Sequence, residues 1–124
     1  MLAFTYIKLT SILPMAKFVI KTRKDGEFQF DLKASNGQVI LTSEGYSAKA
    51  SCMNGIESVR KNSQEDSRFD RIQASTGRWR FNLKATNGQT IGVSEAYETK
   101  AGMENGIESV KTNGNTEEVE DLTT

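Results

Sequence analysis

Histidine is absent from this 124-residue chain, and cysteine and proline each occur only once. The lack of histidine removes the commonest general base and the commonest neutral metal ligand. The single cysteine, Cys52, excludes an intramolecular disulfide and favours a reducing compartment, so we expect a cytoplasmic protein. Net charge is lacking too, because sixteen basic residues balance sixteen acidic ones. The chain therefore has no overall field that would attract nucleic acid or an anionic membrane.

Long hydrophobic runs are also scarce, and the one candidate lies at the start of the chain. Residues 1–14, MLAFTYIKLTSILP, are mostly apolar, but Lys8 interrupts them and they are too short to span a bilayer. They lack the basic flank and the small-residue cleavage site of a signal peptide. We interpret residues 1–14 as a disordered arm or a start-site artefact that precedes the natural start at Met15. Residues 15–124 are then a single domain.

What the sequence does contain is an internal repeat. The stretch DLKASNGQVILTSEGYSAKA (Asp31–Ala50) returns 51 positions later as NLKATNGQTIGVSEAYETKA (Asn82–Ala101). A unit of about 50 residues buries too little surface to be stable alone. Two copies related by a pseudo-twofold axis would complete one core, as a symmetric dimer does. We therefore predict two repeats, at about 15–67 and 68–124, in a chain that is monomeric.

Hydrophobic periodicity predicts the same elements in both copies. Phe28, Phe30 and Leu32 alternate with polar residues, as do Trp79, Phe81 and Leu83, which is typical of strands with one buried face. Two Asn-Gly pairs, at Asn36-Gly37 and Asn87-Gly88, predict type I′ hairpin turns with both residues at positive φ. Downstream, the apolar residues of each copy follow helical spacing: Cys52, Ile56 and Val59, then Met103, Ile107 and Val110.

The helical segments also carry a glycine on their apolar face in both copies, Gly55 and Gly106, which predicts close packing of helix on sheet. An extended stretch follows each helix. The predicted fold class is α+β, with two tandem β(3)-α-β repeats that form one antiparallel sheet and place both helices on one of its faces.

Candidate catalytic groups are few. Ser43-Glu44 and its repeat Ser94-Glu95, with Lys33 and Lys84 nearby in the sequence, could support a hydrolase or a transferase. The alternative is that these serines and glutamates bond local backbone groups at the ends of strands. We predict no catalytic, cofactor-binding or metal-binding residue, since no motif that orients a nucleophile or wraps an ion is present. Cys52 corresponds to Met103, which indicates an apolar slot for a structural side chain.

The polar face of the predicted sheet is the remaining candidate. It carries six side chains, which form either a solvated surface or a shallow binding surface: Gln29, Asp31, Lys33, Arg80, Asn82 and Lys84. A non-enzymatic module that uses this face, or a groove between the two halves, would hold a protein, a peptide or a small ligand. A weak single-stranded nucleic-acid binder is an alternative that the neutral net charge disfavours.

Three motifs occur in both copies: F-x-F-x-L-K-A-x-N-G-Q, then S-E-x-Y, then N-G-I-E-S-V-[RK]-x-N. With these motifs the chain resembles the YegP-like family of small bacterial proteins of unknown function, from about Ala16 to its C-terminus. The resemblance implies a β(3)-α-β unit that occurs as a tandem repeat or as a homodimer, with one continuous sheet and exchanged C-terminal strands. It implies no activity and no catalytic residues.

Overall fold

One seven-stranded sheet and two helices make up the computed structural model, which describes residues 15–123. The predicted arm at residues 1–14 lies outside the described part. The helices, of 14 residues each, are α1 (Lys49–Asn62) and α2 (Lys100–Asn113). The strands are β1 (Lys17–Thr22), β2 (Phe28–Lys33), β3 (Val39–Ser43), β4 (Phe69–Gln73), β5 (Trp79–Lys84), β6 (Thr90–Val93) and β7 (Val119–Asp121). In residues 15–123, no helix is long and apolar enough to cross a membrane.

The sheet shows the internal symmetry directly. Its strand order is β4-β5-β6-β3-β2-β1-β7, so β3 and β6 join the two halves at the centre. In that antiparallel pair Thr42 lies opposite Val93. These two residues are 51 positions apart, which is the offset of the repeat. We call any two residues separated by that offset counterparts. A residue that faces its own counterpart must lie at the symmetry axis. The pseudo-twofold axis therefore passes between Thr42 and Val93.

The prediction of a purely antiparallel sheet is wrong, because β7 pairs with β1 in parallel. The strands on either side of a hairpin must run in opposite directions, and hairpins connect β1 to β2 and β2 to β3. The last strand instead follows α2 and reaches the far edge of the sheet, where no hairpin sets its direction. The sheet is therefore mixed. The stretch after α1 becomes β4 and pairs with β5 in the second half, so a reciprocal exchange of C-terminal strands is not shown. That exchange stays a prediction.

The core lies between the sheet and the helices and extends across both halves. Phe30 and Leu32 in the first half and Phe81 and Leu83 in the second have no exposed surface, as the strand alternation predicts. Buried residues of both helices pack against them, namely Cys52, Ile56, Val59, Met103, Ile107 and Val110. Helix α1 contacts β5 and β6 of the second half, and α2 contacts β3 of the first. Neither half therefore has a core of its own.

The predicted close packing at the helical glycines is confirmed, and a tyrosine is its cause. A Cβ atom on Gly55 would overlap the hydroxyl of Tyr46 and would lie 3.0 Å from Phe30 Cε2. Gly106 has the same relation to Tyr97. Each tyrosine ring stacks on the phenylalanine beneath it, with centroids 6.4 Å apart. The glycines thus let each helix approach the sheet over a stacked aromatic pair.

The type I′ assignment of the Asn-Gly turns is wrong. Gly37 has a φ of 86°, but no residue other than glycine has a positive φ within residues 15–123, so Asn36 does not adopt the required conformation. The N–H of Gly37 instead donates to the carbonyl of Ala34 at 2.9 Å, which places Ser35 and Asn36 at the centre of a type I turn. Asn36 contributes its side chain, whose Oδ1 accepts from the N–H of Gln38 at 2.9 Å.

Replacing Gly37 by alanine should therefore destabilise the protein by about 1–2 kcal/mol, the cost of a Cβ atom in the left-handed region. No atom lies within 4 Å of that Cβ position, so the loss would report backbone strain alone. Asn36→Ala removes one exposed hydrogen bond and should cost less, about 0.5–1 kcal/mol. Urea denaturation of both variants measures the difference. Equal losses, or no loss for Gly37→Ala, would contradict this turn geometry.

Candidate functional site

The face of the sheet opposite the helices carries one residue from every strand in a single row. Directly paired residues share a face of a sheet, and the register of the six strand pairs makes this row continuous. We call it the central row: Glu120, Val19, Asp31, Thr42, Val93, Asn82 and Asp70. Two of the six predicted face residues, Asp31 and Asn82, lie in it. They flank the symmetry axis at Thr42 and Val93.

In the first half, the predicted residues Gln29 and Asp31 are engaged in a hydrogen-bonded chain. Asp31 is only 5% exposed, and its carboxylate lies 3.0 Å from the Lys21 ammonium. Gln29 Nε2 donates to the same carboxylate at 3.1 Å. The side-chain oxygen of Gln29, Oε1, in turn accepts from Arg23 Nε at 2.8 Å. The side chains of Gln29 and Asp31 are therefore hydrogen-bonded to their neighbours, and a role of either residue in ligand binding stays a prediction.

The predicted face residues of the second half make fewer contacts with neighbouring side chains. Lys84 lies 3.7 Å from the carboxylate of Asp70, at the limit of an ion pair. Arg80 is exposed, and neither it nor Lys33 forms an ion pair with any residue between 15 and 123. Asn82 is the counterpart of Asp31 and has no charge, so the two halves differ in charge at this pair of equivalent positions. Within residues 15–123, Lys33 and Arg80 are thus the two cations of the predicted surface that form no ion pair, although Lys33 interacts with the charge of Glu120 at a distance.

A groove opens beside the symmetry axis because β3 and β6 pair over only two residue pairs. It has a volume of about 350 Å³. We call it the junction groove, and it is lined by Gln38, Val39, Leu41, Thr42, Val93, Ser94 and Glu95. Gln38 Nε2 donates to the Glu95 carboxylate at 2.8 Å, which links the two halves at its rim.

The strands next to β3 and β6 carry Lys33 and Arg80, one on each side of the junction groove, and neither residue is among its lining residues. Lys33 pairs directly with Val39 across β2 and β3. On the other side Ser94 N–H bonds the carbonyl of Phe81, so Arg80 lies next to the strand end that leads to Glu95. The sequence did not predict the lining residues individually. The one indication of the groove in the sequence was that the two copies differ at one of its lining positions, where Val39 has Thr90 as its counterpart.

The repeated serines hold the backbone at the ends of β3 and β6. Ser43 Oγ accepts from the N–H of Phe30 at 2.9 Å and donates to the carbonyl of Glu44 at 2.8 Å. Ser94 makes the same pair of bonds, at 2.9 and 2.7 Å. Among residues 15–123, neither hydroxyl is hydrogen-bonded to a lysine or to a carboxylate. This is the structural role that the sequence left open as the alternative to catalysis.

Cys52 is fully buried on α1, and its counterpart Met103 is buried in the same way on α2. Burial raises the pKa of the Cys52 thiol, and the nearby carboxylate of Asp121 raises it further. A thiol with a raised pKa is a poor nucleophile because little of it is ionised. Within residues 15–123, no cluster of three acidic or cysteine side chains could hold a metal ion.

Comparison with known proteins identifies a family and several relatives of the chain. A family described as a domain of unknown function (DUF1508) matches residues 24–70 and 74–121. The UPF0339 protein YegP of Escherichia coli K12 is 48% identical over 106 residues, which is 86% of this chain and 96% of that protein. A UPF0339 protein of Pseudomonas aeruginosa is 55% identical over 96 residues, covering 77% of this chain and 87% of its own.

Solved structures show the same fold. The solution structure of yegP from E. coli, described as a protein of unknown function, has a TM-score of 0.85 at 46% identity and covers 90% of this chain and 97% of its own. A UPF0339 protein from Shewanella oneidensis has a TM-score of 0.84 at 45% identity, with 87% and 92% covered. None of these names indicates an enzyme.

Proposed function

The chain belongs to the DUF1508 family, in its tandem-repeat form, and from that premise we propose that it is a non-enzymatic binding module that holds a small anionic ligand in the junction groove. The observation that carries the proposal is the groove itself, about 350 Å³ in volume, at the axis that relates the two halves. Binding sites favour such junctions because two packed units leave a concave surface between them.

The lining of the junction groove suggests the chemistry of the ligand. Val39 and Val93 offer an apolar floor and Thr42 offers a hydroxyl group, while the Gln38 amide is bonded to the Glu95 carboxylate at the rim. Lys33 and Arg80, which form no ion pair within the described residues, lie on the strands β2 and β5 that border the strands of the groove. A few polar groups around an apolar surface are the usual composition of a small-molecule site. A compact molecule with an apolar part and a carboxylate or phosphate group fits this arrangement best.

The test is an NMR titration of the full chain with a panel of amino acids, short-chain carboxylates and mononucleotides. We expect at least one compound to shift the amide signals of Val39, Thr42 and Glu95 in a saturable manner. Val39→Phe should fill the groove and abolish those shifts. Its matched control is Thr90→Phe, because Thr90 is the counterpart of Val39 but does not line the groove. Shifts confined to other surfaces, or none across the panel, would contradict the proposal.

Two other functions have less support. A hydrolase or transferase would need Ser43 or Ser94 as a nucleophile, but both hydroxyls are occupied by backbone groups. Labelling of either serine by a fluorescent phosphonate would support an enzymatic function instead. A single-stranded nucleic-acid binder would need a basic surface, whereas the chain has no net charge. Tight, salt-dependent binding of an oligonucleotide would favour it instead.

We also infer that the tandem chain is a monomer in the cytoplasm. The contact that would join two single-repeat chains is made here within one chain, through β3, β6 and the helices that cross between the halves. A free, buried cysteine is compatible with a reducing compartment. Analytical ultracentrifugation tests the first part, and a reporter fusion in the native host tests the second.

A further inference from the structure

One outer edge of the sheet is covered by an additional strand, and the edge related to it by the internal symmetry carries no such strand within residues 15–123. Strand β1 has its outer edge paired with β7, whereas β4, which is the counterpart of β1 in the second half, is the last strand on its side. Within residues 15–123 no strand pairs with the outer edge of β4. The way in which β1 holds β7 therefore shows what a second strand on β4 would look like.

Strand β7 is held on β1 by backbone hydrogen bonds and by two ion pairs. The N–H of Phe18 donates to the carbonyl of Glu118, and the carbonyl of Ile20 accepts from the N–H of Leu122, both at 2.9 Å. Glu120 lies 2.7 Å from the ammonium of Lys17, and Asp121 pairs with Lys49 at the start of α1. Successive side chains of a strand point to opposite faces, so these two carboxylates meet one cation on each face of the sheet.

Both cations recur at the edge of β4. The counterpart of Lys17 is Arg68, and the counterpart of Lys49 is Lys100. Arg68 Nε is buried without a hydrogen-bond partner in the described part of the chain, and it is the one side-chain atom of which this is true there. Lys100 lies over the ring of Trp79, 5.6 Å from its centroid, and forms no ion pair with residues 15–123. An unpaired buried guanidinium nitrogen is costly, which favours a ligand that would satisfy it.

The nearby carboxylates of Glu104, Asp66 and Asp70 form ion pairs with other cations, and none of the three forms one with Arg68 or Lys100 within residues 15–123. Arg71 binds both oxygens of Glu104, at 2.7 and 3.0 Å. Asp66 accepts from Arg71 at 2.9 Å and from Lys111 at 2.7 Å. These contacts lower the pKa of both carboxyl groups, so both stay ionised and engaged. Lys100 interacts with the charge of Glu104 only at a distance, and neither Lys100 nor Arg68 has a carboxylate within ion-pair distance in residues 15–123.

The backbone of β4 is partly available. The N–H of Phe69 is used by the carbonyl of Asp66, so the first hydrogen bond of the β1–β7 pair cannot be repeated there. Arg71 is the counterpart of Ile20, whose carbonyl receives Leu122 on β1. Because β4 pairs with β5 in the register in which β1 pairs with β2, the backbone groups of Arg71 and Gln73 point away from the sheet. An incoming strand would pair with them.

We propose that the outer edge of β4 binds, in parallel, an extended acidic segment of a partner protein, with an apolar residue followed by two carboxylates as in Val119-Glu120-Asp121. The first carboxylate pairs with Arg68 and the second with Lys100. The first would also lie beside Asp70, the counterpart of Val19, whose charge is offset by Lys84 at 3.7 Å. The chain's own C-terminal strand is already placed on β1, and a second copy would have to release its own β7 to donate it. Addition of a strand at a sheet edge is an established mode of peptide recognition. This surface is separate from the junction groove, and the two proposals can fail independently.

The probe is a synthetic peptide with the chain's own residues 117–124, EEVEDLTT, added to the full-length protein. We expect saturable shifts of the Arg71, Ile72 and Gln73 amides in NMR spectra. A change in the fluorescence of Trp79, the only tryptophan, should accompany them, since Lys100 lies on its ring. The control peptide EEVQNLTT keeps the shape but loses both carboxylates. It should bind about four- to twenty-fivefold more weakly, because it loses two exposed ion pairs that each contribute a factor of about two to five.

Protein variants locate the contacts. Arg68→Gln and Lys100→Gln should each weaken binding of EEVEDLTT by about two- to fivefold, with thermal midpoints checked to confirm folding. Lys24→Gln removes an exposed cation from the β1–β2 turn and should leave the affinity unchanged. The proposal is overturned by equal binding of both peptides, by the absence of shifts at peptide concentrations of about 1 mM, or by shifts in β1 and β7 that show displacement of the chain's own strand.

Two further outcomes would reassign the surface. Peptide-induced shifts at Val39, Thr42 and Glu95 would mean that the peptide occupies the junction groove, which would overturn this inference and leave the proposed function standing. An oligonucleotide that saturates the same β4 amides at a lower concentration than the peptide would identify the edge as a nucleic-acid contact. Shifts at β4 with no ligand found for the junction groove would support the edge alone.

Discussion

Replacing Cys52 by aspartate should destabilise the protein by about 3–5 kcal/mol, which is a large part of the stability of a domain of this size. The thiol has no exposed surface, so the carboxylate would have to be buried without a partner. The carboxylate of Asp121 already opposes ionisation of the thiol and would repel a new negative charge at the same position. Urea denaturation at pH 7 measures the loss.

Two control variants separate charge from polarity and size. Cys52→Asn introduces a polar group of similar volume without a charge and should cost less than the aspartate. Cys52→Met should cost less than about 1.5 kcal/mol, because the buried counterpart Met103 shows that the fold accommodates methionine in this slot.

The aspartate variant should also respond to pH in a defined direction. Burial raises the pKa of a carboxyl group in the folded state above its unfolded value, so folding favours the protonated form. The stability that Cys52→Asp loses should therefore be partly regained as the pH falls from 7 towards 4. A constant difference from the unchanged protein over that range, or a native-state thiol that reacts as fast as an unfolded control, would contradict the burial of Cys52.

A fragment spanning Met15–Arg71 should not fold as a monomer, but it should fold as a dimer. Alone it lacks β5 and β6, which α1 contacts in the intact chain, so much of its apolar surface would be exposed. In a dimer, β3 of one copy would pair with β3 of the other, as β3 pairs with β6 in the tandem chain. Residues 68–70 are the counterparts of β7 and could then lie along β1 of the partner copy.

Concentration dependence decides between these states. The thermal midpoint of the fragment should rise with protein concentration, because association stabilises only the folded dimer. The midpoint of the tandem chain should not change with concentration. Sedimentation of the fragment as a folded monomer would show that one repeat can close its own core, and the shared core would then be the wrong explanation for the repeat. If a fragment that lacks residues 68–71 still forms folded dimers, strand exchange is not needed for dimer formation.

The sequence by itself determined the architecture wherever local pattern and burial agree. The repeat predicted two equivalent halves, and the alternation at Phe28, Phe30 and Leu32 predicted which strand face is buried. Helical spacing at Cys52, Ile56 and Val59 identified the face that meets the sheet. These predictions held because burial of apolar side chains is the largest favourable term in folding, and its periodicity can be read directly from the chain.

Only the tertiary structure decided the features that depend on residues far apart in the chain. Asn36-Gly37 fits more than one hairpin turn, and the hydrogen bond from Gly37 to Ala34 selected the one that leaves Asn36 at negative φ. The direction of β7 was open because a strand that follows a helix can approach either edge of a sheet in either direction. The groove exists because β3 and β6 separate after two residue pairs. Pairing between distant strands sets all the contacts around the candidate sites, and no local pattern records it.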